Sequence, residues 1–368
     1  MQTKKRNIPR KIEQYRMAPQ SASLYQLLRN HDWFEAQRRC ELLPEEANHV
    51  DMKYGWTPLH LACHLGSSPS NLVRTIAAAY PKAVTTKDRR FGDTPLHIQC
   101  RNSQRSMSKV SILLSYCEDD NAALLNKIGH TPLHTACCSN SLIQVLSALV
   151  DKNPAALSFV DYQCETPLMA LWQTYIQSIP GHLTVARILK GERFKKGDSF
   201  ERFWGKVRFL ALQRHRALSG ADNVAESELG HAILTGFGPE KLLLVALRLD
   251  PSLASTLDRQ GNTMLHVMVG HRSDIARRNP NLVKLVLSQN PTAAKTRNQD
   301  GQTPLNVALA CGLDWDHGVA DVLRAHPAML QQSDSHTQLL PFMQAAAHQC
   351  DLNTIYMLLT SQPDVLNH

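Results

Sequence analysis

Three segments decide the fold: GWTPLHLAC at 55–63, GDTPLHIQC at 92–100 and GHTPLHTAC at 129–137. Their shared tripeptide starts at Thr57, Thr94 and Thr131, and it returns at Thr166 and Thr303. Thr263-Met264-Leu265 keeps the frame, with weaker echoes at Glu228-Leu229-Gly230 and Leu340-Pro341-Phe342. The successive steps are 37, 37, 35, 62, 35, 40 and 37, so one interruption breaks an otherwise steady rhythm. Prolines at 44, 81, 154, 251, 291 and 327 run in phase, 12 or 13 residues before the next tripeptide. Two marks in one register identify an internal repeat, and a repeat of this period reads as a stacked array.

Each mark has a physical job. Thr before Pro is a helix N-cap, whose hydroxyl satisfies an orphan amide of the first turn. Pro in the next position needs no amide partner and has a helical φ already fixed. The Leu-His-x-Ala that follows builds a short inner helix, and Gly66 and Gly312 are suited to end such helices in a left-handed conformation. The second helix of each unit carries apolar residues at helical spacing, as in Leu142, Val145, Leu146 and Leu149, or Ile355, Leu358 and Leu359. Polar stretches such as Asp258-Arg259-Gln260-Gly261-Asn262 and Asn298-Gln299-Asp300-Gly301-Gln302 then suit tight turns into the next cap.

The three opening segments resemble the ankyrin-repeat signature, and the resemblance extends over roughly residues 21–368. It implies an all-α solenoid of stacked helix-turn-helix repeats, with Thr57, Pro58, His60, Thr94, Pro95, His97, Thr131, Pro132, His134, Thr166, Pro167, Thr263, His266, Thr303 and Pro304 as structural repeat positions. About nine units follow, including degenerate caps, near 21–54, 55–91, 92–128, 129–163, 164–225, 226–260, 261–300, 301–337 and 338–368. The period exceeds the ankyrin length of about 33, a stretch that resembles the long-period, divergent arrays of algal type. The added residues fall in the loops Gly66–Asn71 and His271–Asn281. Met169 and Asn306 replace the histidine in two copies.

The net charge of +8 is unevenly placed. Residues 1–20 hold six Lys/Arg and one Glu, a balance of +5, and read as a basic, disordered tail whose Lys4-Lys5-Arg6 cluster has the composition of a nuclear signal. Residues 181–220 hold ten Lys/Arg and three acids, a balance of +7. This surplus lies in the long-step unit, whose insertion at 180–200 includes Arg193, Lys195 and Lys196. Phe200, Phe203, Trp204, Val207 and Leu210 then form a helical stripe. It reads as the unit's outer helix, capped by Asp198 or Ser199, with Arg202 and Lys206 off the stripe as a basic patch.

No apolar run reaches the ~18 residues of a membrane span, and no apolar segment follows the basic N-terminus. Nine cysteines within apolar helical stretches read as reduced thiols of a cytoplasmic or nuclear protein. His60-x-x-Cys63, His97-x-x-Cys100 and His134-x-x-Cys137 have metal-like spacing, but each pair belongs to a separate layer, whereas zinc needs four converging ligands. The structural reading is that the His ties adjacent turns and the Cys fills space. No local nucleophile–base arrangement and no Gly-Lys-Ser/Thr phosphate loop is present. The expectation is a non-enzymatic, cofactor-free and metal-free chain.

Stacking buries a continuous strip and leaves a concave surface of inner helices and turn fingers, which in ankyrin-type proteins binds other proteins. The fingers precede each tripeptide and supply Arg89, Arg90, Phe91, Lys127, Tyr162 and Arg259, with Leu61, His64, Arg101 and Thr135 joining them from inner helices. The expected function is a protein-binding scaffold or adaptor, a monomeric array with another protein as partner. The alternative is nucleic-acid or anionic-surface binding through residues 187–216.

Overall fold

The computed structural model describes residues 22–102, 107–118, 124–192, 199–220, 225–235, 239–270 and 273–361. The basic tail at 1–20 and Arg193, Lys195 and Lys196 of the insertion lie outside the described residues. The architecture is all-α, and the sole extended pairing among the described residues is an isolated bridge between Leu257 and Thr263. The chain forms two compact units, Met1–Thr174 and Tyr175–His368.

In the first unit the inner helices are α1 (Leu24–Arg29), α3 (Pro58–His64), α5 (Pro95–Arg101) and α7 (Pro132–Cys138), each packed on the next. The outer helices α2 (Trp33–Leu42), α4 (Ser70–Ala79), α6 (Met107–Ser115) and α8 (Ile143–Lys152) form the parallel row behind them. Helix α9 (Pro167–Gln177) follows. The inner helices after α1 are short and almost wholly covered: in α3, every residue from Pro58 to Cys63 is buried. Such a helix depends on its neighbours, since six or seven residues have little helical stability alone.

The in-phase prolines have a definite role. Pro44, Pro81, Pro154, Pro251, Pro291 and Pro327 each open a short 3-10 turn after an outer helix. A proline disfavours helical geometry in the residue before it, and here Tyr80, Asn153, Asp250, Asn290 and His326 leave it, so the outer helix stops there. Leu253 and Ala254, or Ala293 and Ala294, then turn inward and are buried.

In the second unit α10 (Ile179–Leu189) and α11 (Ser199–Ser219) precede α12 (Leu229–Thr235), α13 (Glu240–Leu249), α14 (Met264–Val269), α15 (Ser273–Arg278) and α16 (Pro280–Gln289). Helices α17 (Pro304–Ala310), α18 (Val319–Ala325), α19 (Pro341–Ala347) and α20 (Leu352–Thr360) complete it. Inner helices α12, α14, α17 and α19 stack in order.

The structure corrects the expected layout in four places. The stretch after Ser178 forms helix α10, which packs on the outer helix α13, while α11 packs on the inner helix α12. Helix α11 therefore does not occupy the outer row. Its apolar stripe is real, since Phe200, Phe203, Val207 and Leu210 are buried, and Tyr175 stacks on Phe203 with ring centroids 3.8 Å apart. Lys206, expected off that stripe, is only 8% exposed, because it lies three residues after buried Phe203 and four before buried Leu210, on the same flank of the helix. The loop expected over His271–Asn281 contains α15 and the start of α16. Gly312 is left-handed (φ 63°), but Gly66 is not, and α3 is capped one residue earlier, at Leu65.

Candidate functional site: the finger turns

Each finger is built around one Asx side chain. Asp88 Oδ1 accepts the amides of Phe91 (2.7 Å), Gly92 (2.8 Å) and Asp93 (3.2 Å), while its own amide donates to the Asp93 carbonyl at 2.9 Å. Asn126 receives Ile128 and His130 in the same way, and Asp161 receives Gln163 and Glu165. A short acceptor satisfying several turn amides is what favours Asp and Asn here. Two residues before each cap position the backbone is left-handed: Gly55, Gly92, Gly129, Gly261 and Gly301, with Cys164 (φ 60°) and Gln338 (φ 55°) in the variant copies.

The fingers are tied sideways. The Arg89 amide donates to the Tyr54 carbonyl (2.8 Å), Lys127 to Phe91 (2.8 Å) and Tyr162 to Ile128 (3.4 Å). In the second unit Gln299 donates to Gln260 at 2.9 Å. Beneath these ties runs a second row, in which the residue before one cap bonds the Asx head of the following finger. Trp56 Nε1 donates to Asp88 Oδ2 (3.2 Å), Asn126 Nδ2 to Asp93 Oδ1 (2.8 Å), and Asn298 Nδ2 to Asn262 Oδ1 (3.0 Å). His130 Nε2 lies 3.1 Å from Asp161 Oδ2.

The repeat histidines form a third row. His60 Nδ1 accepts from the Thr57 amide at 3.2 Å and lies 2.8 Å from its hydroxyl, while the Thr hydroxyl accepts from the His60 amide. The other nitrogen then carries the proton and donates onward: His60 Nε2 to the Asp93 carbonyl (3.2 Å), His97 to His130 (3.0 Å) and His134 to Glu165 (3.1 Å). His231 and His266 repeat the onward bond at 3.0 and 3.1 Å. Burial holds His60, His97 and His134 neutral, with pKa values pushed down to about 4. Where Asn306 replaces histidine, its Oδ1 still accepts the Thr303 amide and its Nδ2 reaches Gln344 Oε1 at 3.2 Å. Met169 accepts nothing, and only the Thr166 hydroxyl cap remains.

The partner cysteines Cys63, Cys100 and Cys137 are fully buried, and burial pushes the Cys63 thiol up to about 12. A thiol held so far toward its protonated form is a poor nucleophile. Among the described residues no group of three or more His, Cys, Asp or Glu is placed to hold a metal ion. No helix among them is long and apolar enough to cross a membrane.

Of the residues expected on the finger surface, Arg89, Arg90, Phe91, Lys127, Tyr162 and Arg259 are exposed, as are His64 and Arg101. Leu61 is not: it is 6% exposed, and Ile98 and Thr135, at the same offset in the next repeats, are buried too. Four positions after the cap face the adjacent inner helix. Seven positions after it, His64 and Arg101 reach solvent. Exposed Met52 and Lys53 and half-buried Tyr54 were not among the expected finger residues, although they precede the tripeptide at Thr57 as Phe91 precedes that at Thr94. Their signal was the phase, since Tyr54, Phe91 and Ile128 each lie three residues before a cap threonine. On α11 the exposed Arg202 and Arg216 remain, but Lys206 and Arg214 are buried, so the helix displays less charge than its sequence counts.

Helix pairs stacked in register, capped by Thr-Pro and joined through Asx-headed fingers, define a repeat protein whose conserved geometry lies in its turns. The ankyrin-repeat family models match residues 54–81 and 68–161, the latter as three copies, so residues 54–161 contain ankyrin repeats. No curated protein matches the chain. Ankyrin repeats are generally protein–protein interaction modules rather than enzymes.

Proposed function

We propose that this chain is a non-catalytic scaffold or adaptor that captures a protein partner on the fingers of residues 51–165. The observation that carries this reading is the display of large apolar side chains at successive tips: Phe91 is 45% exposed, Ile128 54% and Tyr162 72%. Aromatic and aliphatic groups held in solvent have a hydration cost that a partner removes, and Tyr and Arg anchors dominate binding energy in protein interfaces. Here the backbones that carry them are already hydrogen-bonded to one another, so little ordering entropy is lost on capture. The alternative, nucleic-acid or anionic-surface binding through 187–216, has less support, since Lys206 and Arg214 of that segment are buried.

A photo-crosslinking residue at Ile128, compared with one at Gln299, tests this in native lysate. The proposal expects a protein adduct from position 128 and little from 299. Absence of any protein adduct at 128 overturns it.

A further inference from the structure

The charge of the first unit's fingers is sorted by burial. Asp88, Asp93 and Asp161 are all buried, consumed by the turn amides and lateral bonds. Asp51 and Glu165 are half-buried. What reaches solvent is cationic: Lys53, Lys87, Arg89, Arg90 and Lys127 are exposed, and no exposed acid accompanies them at 51–54, 87–93, 126–130 or 161–165. The near-neutral composition of these loops therefore becomes a positive face.

The cations are also positioned. Lys53 Nζ lies over the Tyr54 ring at 4.7 Å, and the Arg90 guanidinium lies over Phe91 at 4.7 Å. Arg101 reaches the same ring at 5.8 Å while its Nη2 holds Asp93 at 2.7 Å. Lys127 Nζ donates to the Arg89 carbonyl at 2.5 Å, and Arg89 Nη1 to the Met52 carbonyl at 2.9 Å. Cationic groups are thus set between apolar tips and kept there by the fold.

From this we infer that the finger face binds an acidic peptide segment, rich in Asp and Glu and interrupted by apolar anchors of the Leu, Ile or Phe type. The inference rests on the protein-binding reading of the same surface and names the chemistry of its partner. Carboxylates answer Arg89, Arg90, Lys53 and Lys127, and apolar anchors cover Ile128 and the exposed edges of Phe91 and Tyr162. The arrangement favours peptide over single-stranded RNA. A nucleobase needs an open ring face to stack on, and cations already occupy faces of Tyr54 and Phe91. Opposed charge also accelerates encounter and selects against basic partners.

A random dodecapeptide library displayed on phage and panned against the full chain at low salt tests the inference. The expected pool is enriched in Asp and Glu together with Leu, Ile or Phe, and is eluted by raising the salt. The charge-reversed chain R89E/R90E/K127E loses the pool by at least about tenfold, a size typical of removing close charge pairs at an interface. Arg90→Glu alone, which leaves the Arg89 and Lys127 hydrogen bonds in place, loses it by a smaller factor with an unchanged thermal melt. A neutral or basic pool, or retention of the acidic pool by Arg90→Glu and the triple variant alike, overturns the inference. So does a labelled oligouridylate that displaces the peptides at equal concentration. A protein adduct at position 128 combined with a neutral pool would sink the partner chemistry and leave the protein-binding reading standing.

Discussion

The fingers at 51–165 and those at 258–338 share one turn and differ in what they hold out. Both have an Asx head whose carboxylate or amide oxygen receives the turn amides, a left-handed residue two positions before the cap, and an amide tie to the neighbouring finger. The first set ends in Tyr54, Phe91, Ile128 and Tyr162 among lysines and arginines. The second ends in Gln260, Gln299, Asp300, Ser335 and His336, with Arg259 nearby, and carries no Phe, Tyr or Trp tip. The common turn is therefore a folding requirement, while the tips are free of it. A difference confined to the tips points to recognition rather than stability.

The sharpest break of this comparison is at a head. Asp88→Ala removes the acceptor for three amides, two of them in buried residues, and for Trp56. It should cost about 3–5 kcal/mol, read as a lowered denaturation midpoint. An equally large loss is not expected from Asp300→Ala, which removes an exposed side chain.

Acid should separate the two regions. His60, His97 and His134 have folded values near 4, below the ordinary 6.5, so the unfolded chain takes up protons first. Their contribution is complete above pH 6.5 and is lost as pH falls toward 4, on the order of 3 kcal/mol for each. In the second unit burial lowers His231 and His266 as well, but Asn306 cannot titrate. Hydrogen exchange at pH 4.5 should thus open amides of 57–138 more than those of 303–310. Equal opening would remove the histidine row as the cause.

At the tips, Phe91→Ala with Tyr162→Ala should weaken partner capture about tenfold or more, near 1.4 kcal/mol, without moving the melt. The matched pair Gln260→Ala and Gln299→Ala should leave capture unchanged. A loss in both pairs would spread the site over both regions.

A smaller effect lies within the first unit. Gly129 (φ 81°) must be glycine, because a Cβ there would stand 2.8 Å from the Tyr162 amide nitrogen. Cys164 occupies the equivalent left-handed position with a side chain, a strain of roughly 1–2 kcal/mol for an L-residue. Cys164→Gly should raise stability by about 1 kcal/mol in a thermal melt. The smallest expected change, within about 0.5 kcal/mol, is that of Asp300→Ala.

Much of this was legible beforehand because the cap chemistry is local. Thr57 and Pro58, or Thr303 and Pro304, declare a helix start without reference to any other part of the chain. Finger exposure followed from phase alone, as with Phe91 and Tyr162. What could not be read was anything decided by a neighbour. Leu61 has the offset of a surface residue but is covered by the adjacent inner helix. Lys206 is charged yet buried on the flank of α11, and α11 itself packs on an inner helix although its stripe reads as that of an outer one. The sorting of charge was equally hidden, since sequence counts Asp88 and Arg89 alike and only burial separates them.

The tie from the Lys127 amide to the Phe91 carbonyl has a metrical consequence. From the proline that ends an outer helix to the Asx head is seven positions at Pro81–Asp88, Pro154–Asp161, Pro251–Asp258 and Pro327–Asp334 alike. Apart from one residue between head and cap, six positions at Asp88–Thr94 against five at Asp161–Thr166, variation in the repeat period is taken up between the inner and outer helices, where α15 is accommodated. The finger edge is in this sense a rail of constant gauge. Its fittings can be exchanged one at a time, and lengthening a unit on the far side leaves the interval between them untouched.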